Sequence, residues 1–162
     1  MKGENEMAKK VLIAFDDSDN AMRAVHYVAE THKTDNKVTL FSVVPDTADI
    51  CQMDSKELTP YFKSQRSAFC TLEDKKKDLL GHAMEKAKKV LIEAGFDEKN
   101  IKTKIRTKRN GIARDIVAEA DSGYDVVVIG RRGLAGIKEL FLGSISQKVL
   151  SLAKEASICI IN

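Results

Sequence analysis

The chain has 162 residues, 43% of them hydrophobic, enough for one well-cored domain and short for two. Charged residues make up 31%, mixed in sign, with a formal net charge of only +3, which argues against a dedicated nucleic-acid or membrane binder. The three cysteines, Cys51, Cys70 and Cys159, lack CxxC or Cys/His metal spacing, so thiols in a reducing cytoplasm are expected and a disulfide framework is not.

Residues 1–8 are polar, with no apolar signal core, and read as a disordered lead-in with Met7 as an alternative start. No apolar run approaches the roughly 20 residues needed to span a bilayer. Val11 to Phe15 is a short continuous apolar run, which predicts a central strand buried on both faces. Asp16-Asp17-Ser18 closes it, and Ser18 is placed to cap a helix in which Ala21, Ala24, Val25 and Val28 recur at helical spacing. A second strand covers Val38 to Val44 and stops at Pro45. From there to about Leu72 the pattern is irregular and polar, predicting a long connection of the kind that is usually functional or mobile.

Leu79, Leu80, Ala83, Ala87, Val90, Leu91 and Ala94 then mark one face of an amphipathic helix closed by Gly95. A third strand is expected from Ile101 to about Lys108. Its alternating Lys102, Lys104, Arg106 and Lys108 suit an exposed sheet edge better than a nucleic-acid stripe, since no aromatics interleave them. Ile112, Ile116, Val117 and Ala120 predict a further helix ending near Gly123. Val126 to Ile129 predicts a buried strand, followed by the loop from Gly130 to Gly143, a helix from Ser144 to about Ala153, and a last strand over Ile158 to Ile161. Alternation of strands and helices implies a parallel sheet covered on both faces. Ligands of such sheets bind outside the carboxyl ends of the strands, where the strand order reverses. Both the Asp16 loop and the Gly130 loop follow strand carboxyl ends.

A strand running into a glycine-rich loop and then a helix start is suited to an anion, because backbone N–H groups can approach it closely. Here Gly130, Gly133, Gly143 and Ser144 form the pattern G-x2-G-x9-G-[ST]. That pattern resembles the nucleotide-binding signature of the universal stress protein family, in its ATP-binding branch, and the resemblance runs from about Lys9 to Ile161. It implies a single-domain α/β fold over residues 9–162, with 45–72 as a variable connection. The sheet would be Rossmann-like, open, parallel and five-stranded in the order 3-2-1-4-5, with helices on both faces.

The resemblance also implies a nucleotide site made of Ala14, Asp16, Val43, Gly130, Arg131, Arg132, Gly133, Gly143, Ser144, Ile145 and Ser146. Asp16 would contact the nucleotide, accepting from ribose hydroxyls or holding Mg²⁺ beside the phosphates. Val43 falls at the adenine-contacting position, and also reads as an ordinary core residue of its strand. Arg131 and Arg132 can clamp phosphate oxygens or stand as solvated loop charges. Ser144 forms a capping-box pattern with Gln147, so its hydroxyl caps the helix or reaches a phosphate; backbone donors at Ile145 and Ser146 stand in either case. The implied ligand is ATP, or ADP or AMP, with Mg²⁺. The apolar edge strand Ile158, Cys159, Ile160 and Ile161 would pair with a second copy, as members of the family dimerise.

His26, His32 and His82 share no ligand spacing, and there is neither a hydrolytic triad nor a GxxxxGK[ST] loop. No catalytic residue is therefore assigned. The expectation is a cytoplasmic, homodimeric regulatory module that holds ATP or ADP and hydrolyses it slowly at most. The alternatives are a genuine ATPase or nucleotidyl-transfer enzyme, and a nucleotide-free interaction protein.

Overall fold

The computed structural model describes residues 7–52, 59–133 and 142–162. The expected lead-in therefore lies mostly outside the described residues, as do parts of the 45–72 connection and of the glycine loop.

The described elements run β1 (Lys10–Ala14), α1 (Asp19–Thr31), β2 (Lys37–Val44), α2 (Ala48–Gln52), α3 (Pro60–Glu93), β3 (Ile101–Thr107), α4 (Ile112–Ala120), β4 (Val126–Gly130), α5 (Ser144–Leu152) and β5 (Ser157–Ile161). A short 3₁₀ turn at Glu98–Asn100 leads into β3. The strands form one parallel five-stranded sheet in the order β3-β2-β1-β4-β5. The fold is thus the Rossmann-like arrangement expected.

β1 occupies the centre because Val11 to Ala14 are apolar on both faces and can be buried twice over. Val11, Ile13 and Phe15 face α1 and α3 in one core layer. Leu12 and Ala14 join Phe41, Val127 and Ile129 in the other, under α4 and α5. Ala14 pairs in register with Phe41 of β2 and with Ile129 of β4, so the chain leaves the sheet at adjacent points after β1 and β4. That is the reversal point where a crevice opens.

The region after β2 departs from expectation. Instead of an irregular connection to Leu72, the chain forms α2 and then α3, whose 34 residues begin at Pro60. Thr59 caps it by accepting from the Phe62 N–H, and proline stands in the first turn, where its missing N–H costs nothing. Burial starts only at Glu73, while Tyr61, Phe62, Phe69 and Leu72 stay exposed. The first half of this helix thus carries no burial periodicity to be read.

A second departure concerns the cysteines. Cys51 of α2 and Cys70 of α3 form a disulfide, and only Cys159 is a free thiol. The two sulfurs meet because α2 packs back along α3, a juxtaposition created by the helix that the sequence pattern hides.

β3 is a sheet edge, as its alternating charges suggest. Those charges also do more than discourage pairing. Lys104 and Arg106 both reach Glu119 of α4, at 2.8 and 2.6 Å, and the Glu119 side chain is only 4% exposed. The Arg106 guanidinium also lies 5.4 Å from the Phe41 ring centroid, within cation–π range.

Candidate functional site

At the carboxyl end of β1 the backbone turns sharply, with Asp17 in the left-handed region at φ 60°. Aspartate tolerates that conformation better than most residues. The turn aims Asp16 upward, and Ser18 holds it by donating from its backbone N–H and its hydroxyl to Oδ1, at 3.2 and 2.6 Å. The same Ser18 oxygen accepts from the Ala21 N–H and caps α1. One serine therefore fixes both the carboxylate and the helix start.

The glycine loop closes on this turn at two glycines. A Cβ at Gly130 would sit 2.8 Å from backbone and side-chain atoms of Asn20, so only glycine lets α1 pack against the end of β4. A Cβ at Gly133 would overlap the Asp16 carboxylate. Asn20 donates from its side-chain amide to the Arg132 carbonyl at 3.2 Å, and the Arg131 N–H donates to the Ile161 carbonyl at 2.6 Å. The loop is thereby anchored to α1 on one side and to β5 on the other.

Across the loop, Gly143 is the N-cap of α5 and Ser144 its first helical residue, with no side-chain capping bond. The expected Ser144–Gln147 capping box does not form. The reason is that Gly143 already occupies the cap: its carbonyl accepts from the Gln147 N–H and its N–H donates to the Arg131 carbonyl, each at 2.9 Å. The structural hydroxyl is instead Ser146, which donates to the Gly130 carbonyl at 2.8 Å in a buried setting. The first N–H groups of α5 have no acceptor within their own helix and carry the positive end of its dipole.

Between these elements lies a cavity of about 680 Å³. Asp16, Val43, Arg132 and Gly133 line it, and so does the start of α5 from Gly143 to Ser146. Ala14 and Gly130 line a smaller hollow of about 110 Å³ that shares Asp16 and Gly133 with the first. Arg131 lines neither, and its backbone is directed to β5. Of the eleven nucleotide-site positions expected, the fold thus gathers all but Arg131 around one crevice.

Sequence reasoning missed an entire wall. α3 contributes Glu73, Lys76, Lys77, Leu79 and Leu80, and Ile112 enters from the start of α4. Leu79, Leu80 and Ile112 were legible as helix positions but not as part of a site, and Glu73, Lys76 and Lys77 carry no apolar period to flag them. They make the cavity two-sided. The lining thus combines apolar side chains, Val43, Val44, Leu80 and Ile112, with donors at Arg132, Lys76, Lys77 and the α5 start.

Among the described residues no group of three or more His, Cys, Asp or Glu is arranged to hold a metal. Magnesium asks less, since one or two carboxylates suffice when phosphates complete its shell. Asp16 and Asp17 both line the cavity and meet that requirement. Among the described residues no helix is long and apolar enough to cross a membrane.

The family model described as universal stress protein family matches residues 7–156. Among solved structures, hypothetical protein MJ0577 aligns at 28% identity over 96% of each chain, with a TM-score of 0.68. A universal stress protein in complex with cAMP aligns at 18% identity over 96% of this chain and 97% of that one, TM-score 0.62. The universal stress protein from Archaeoglobus fulgidus in complex with dAMP does so at 18% over 96% and 98%, TM-score 0.55. Among curated proteins none matches.

Proposed function

Because the chain belongs to the universal stress protein family, we propose that it is a regulatory nucleotide-binding module, holding ATP or ADP in the cavity beyond the carboxyl ends of β1, β2 and β4. The observation that carries this reading is the two-sided cavity itself. Apolar side chains such as Val43 suit a purine, and donors at Arg132 and the α5 start suit phosphates. Two relatives of the same fold are described in complex with cAMP and with dAMP, both adenine nucleotides.

In this arrangement the N–H groups of Ser144 to Ser146 and the Arg132 guanidinium meet phosphate oxygens. Asp16, held by Ser18, accepts from ribose hydroxyls or reaches a magnesium ion on the phosphates. Magnesium would supply charge neutralisation beside the phosphates. Arg131 contributes through its backbone. Among the described residues no histidine lines the cavity, and in this reading turnover is slow and the nucleotide acts as a signal. The protein works as a homodimer joined through Ile158 to Ile161 of β5.

Mass spectrometry of the nucleotide that co-purifies, followed by calorimetric titration with ATP and Mg²⁺, tests the reading. Adenine nucleotide in the purified protein and turnover well below about 1 s⁻¹ are expected. Absence of any nucleotide, with no ATP-dependent rise in melting temperature, would sink it. Light scattering at micromolar concentration checks the dimer.

A further inference from the structure

We infer that Glu73 is a specificity-determining residue of the cavity, accepting a hydrogen bond from the amino group on the edge of the ligand's base. The inference rests on the nucleotide-binding reading above and adds a contact supplied by α3. The Glu73 side chain is 9% exposed, and what surface the residue keeps is on the cavity wall. Its Oε1 accepts from Lys76 Nζ at 2.7 Å. Among the described residues nothing donates to Oε2. Yet no fully buried side-chain nitrogen or oxygen among them lacks a partner, so Oε2 keeps some accessible surface, on a residue that lines the cavity.

A carboxylate accepts and never donates, and holding one away from water is costly unless donors surround it. Lys76, itself largely exposed, covers one oxygen only. The neighbouring Val44, Leu79, Leu80 and Ile112 offer packing surface and no donors. A planar base fits against those side chains, and its amino group offers Oε2 a donor beside the lysines, Lys76 and Lys77, that line the same wall. The pair presents an acceptor, Glu73, beside a donor, Lys76. That is the complement of an amino group next to a ring nitrogen, as on the edge of adenine.

Calorimetric titrations of ATP, and of the triphosphate of unsubstituted purine riboside, which lacks the amino group, test this on wild type, Glu73→Gln and Glu73→Ala. Wild type is expected to prefer ATP by roughly tenfold or more, the range of a hydrogen bond to a charged group. Glu73→Gln narrows the preference and Glu73→Ala abolishes it, while affinity for the analogue changes little. An ATP preference that survives in Glu73→Ala overturns the inference, as does a wild type that binds both ligands equally. Wild type that binds neither overturns the nucleotide-binding reading itself and this contact with it. Glu73→Gln conserves volume and decides the matter if melts show that the alanine variant is misfolded.

Discussion

The Ser146 hydroxyl donates to the Gly130 carbonyl at 2.8 Å, so the start of α5 is bonded to the last residue of β4 across the mouth of the glycine loop. The bond spans 16 residues of sequence and is buried. Ser146→Ala removes the donor and leaves a buried carbonyl with poorer company. A loss of about 1–2 kcal/mol in unfolding free energy is expected by urea titration. Affinity for ATP should fall as well, because the helix start is no longer held against the strand. A variant as stable as wild type and with unchanged affinity would show that the bond contributes nothing.

Glu119 joins β3 to α4. Two cations meet one nearly buried carboxylate, which also lies 3.4 Å from the Tyr124 hydroxyl. Lys104 and Arg106 are partly exposed and can rehydrate when their partner is lost, which limits the cost. Glu119→Gln should therefore destabilise the protein by about 1–3 kcal/mol in thermal or chemical unfolding. Nucleotide affinity should be unaffected, since Glu119 does not line the cavity. A change in affinity comparable to the change in stability would contradict that separation.

The Cys51–Cys70 bond closes a loop with a sequence separation of 19. In the chain-entropy view such a closure is worth about 3 kcal/mol, drawn from the unfolded ensemble. Peptide mapping without reductant should recover the two cysteines cross-linked, and Cys159 as a free thiol. Reduction by a dithiol, or Cys51→Ser with Cys70→Ser, should lower the melting temperature and open the first turns of α3 to protease. Identical digestion patterns with and without reductant would count against the tether.

His32 gives the stability a slope in pH. Partial burial, followed by the nearby Lys9 charge, lowers its pKa below the ordinary 6.5, so the folded state favours the neutral ring. The unfolded chain then takes up a proton first as pH falls. Stability is full above about pH 6.5, and is lost as pH drops from there toward the folded-state pKa. The stability difference between wild type and His32→Gln should therefore shift against wild type between pH 7.5 and 5. A difference constant over that range would rule out the contribution.

Much of the fold was legible because the central strands carry their burial in their composition. Val11 to Phe15 and Val126 to Ile129 are apolar without alternation, which fits a parallel strand covered on both faces and little else. The loop glycines were legible through their spacing, and the structure supplies the reason: a Cβ at Gly130 would meet Asn20 and one at Gly133 the Asp16 carboxylate. What stayed hidden was everything that depends on one segment meeting another. The first half of α3 buries nothing of its own before Glu73, so no period marks it as a helix. With that helix unseen, the cysteine pairing and the Glu73 wall had no visible cause. Ser144 shows the reverse failure: its capping pattern is locally sound, but the bond from Gly143 to Arg131 had already shifted the cap by one residue.

The hydrogen bond from Arg131 to Ile161 links two parts of the molecule that serve different surfaces. It joins the backbone of the glycine loop to the end of the edge strand. A partner strand added along β5 would stiffen that junction, and a ligand seated on the loop would stiffen the same peptide from the other side. Free energies of this kind are reciprocal. If two copies pair along β5 and a nucleotide seats on the loop, whatever factor one adds to the other must be returned, and this backbone bond lies on the route between them.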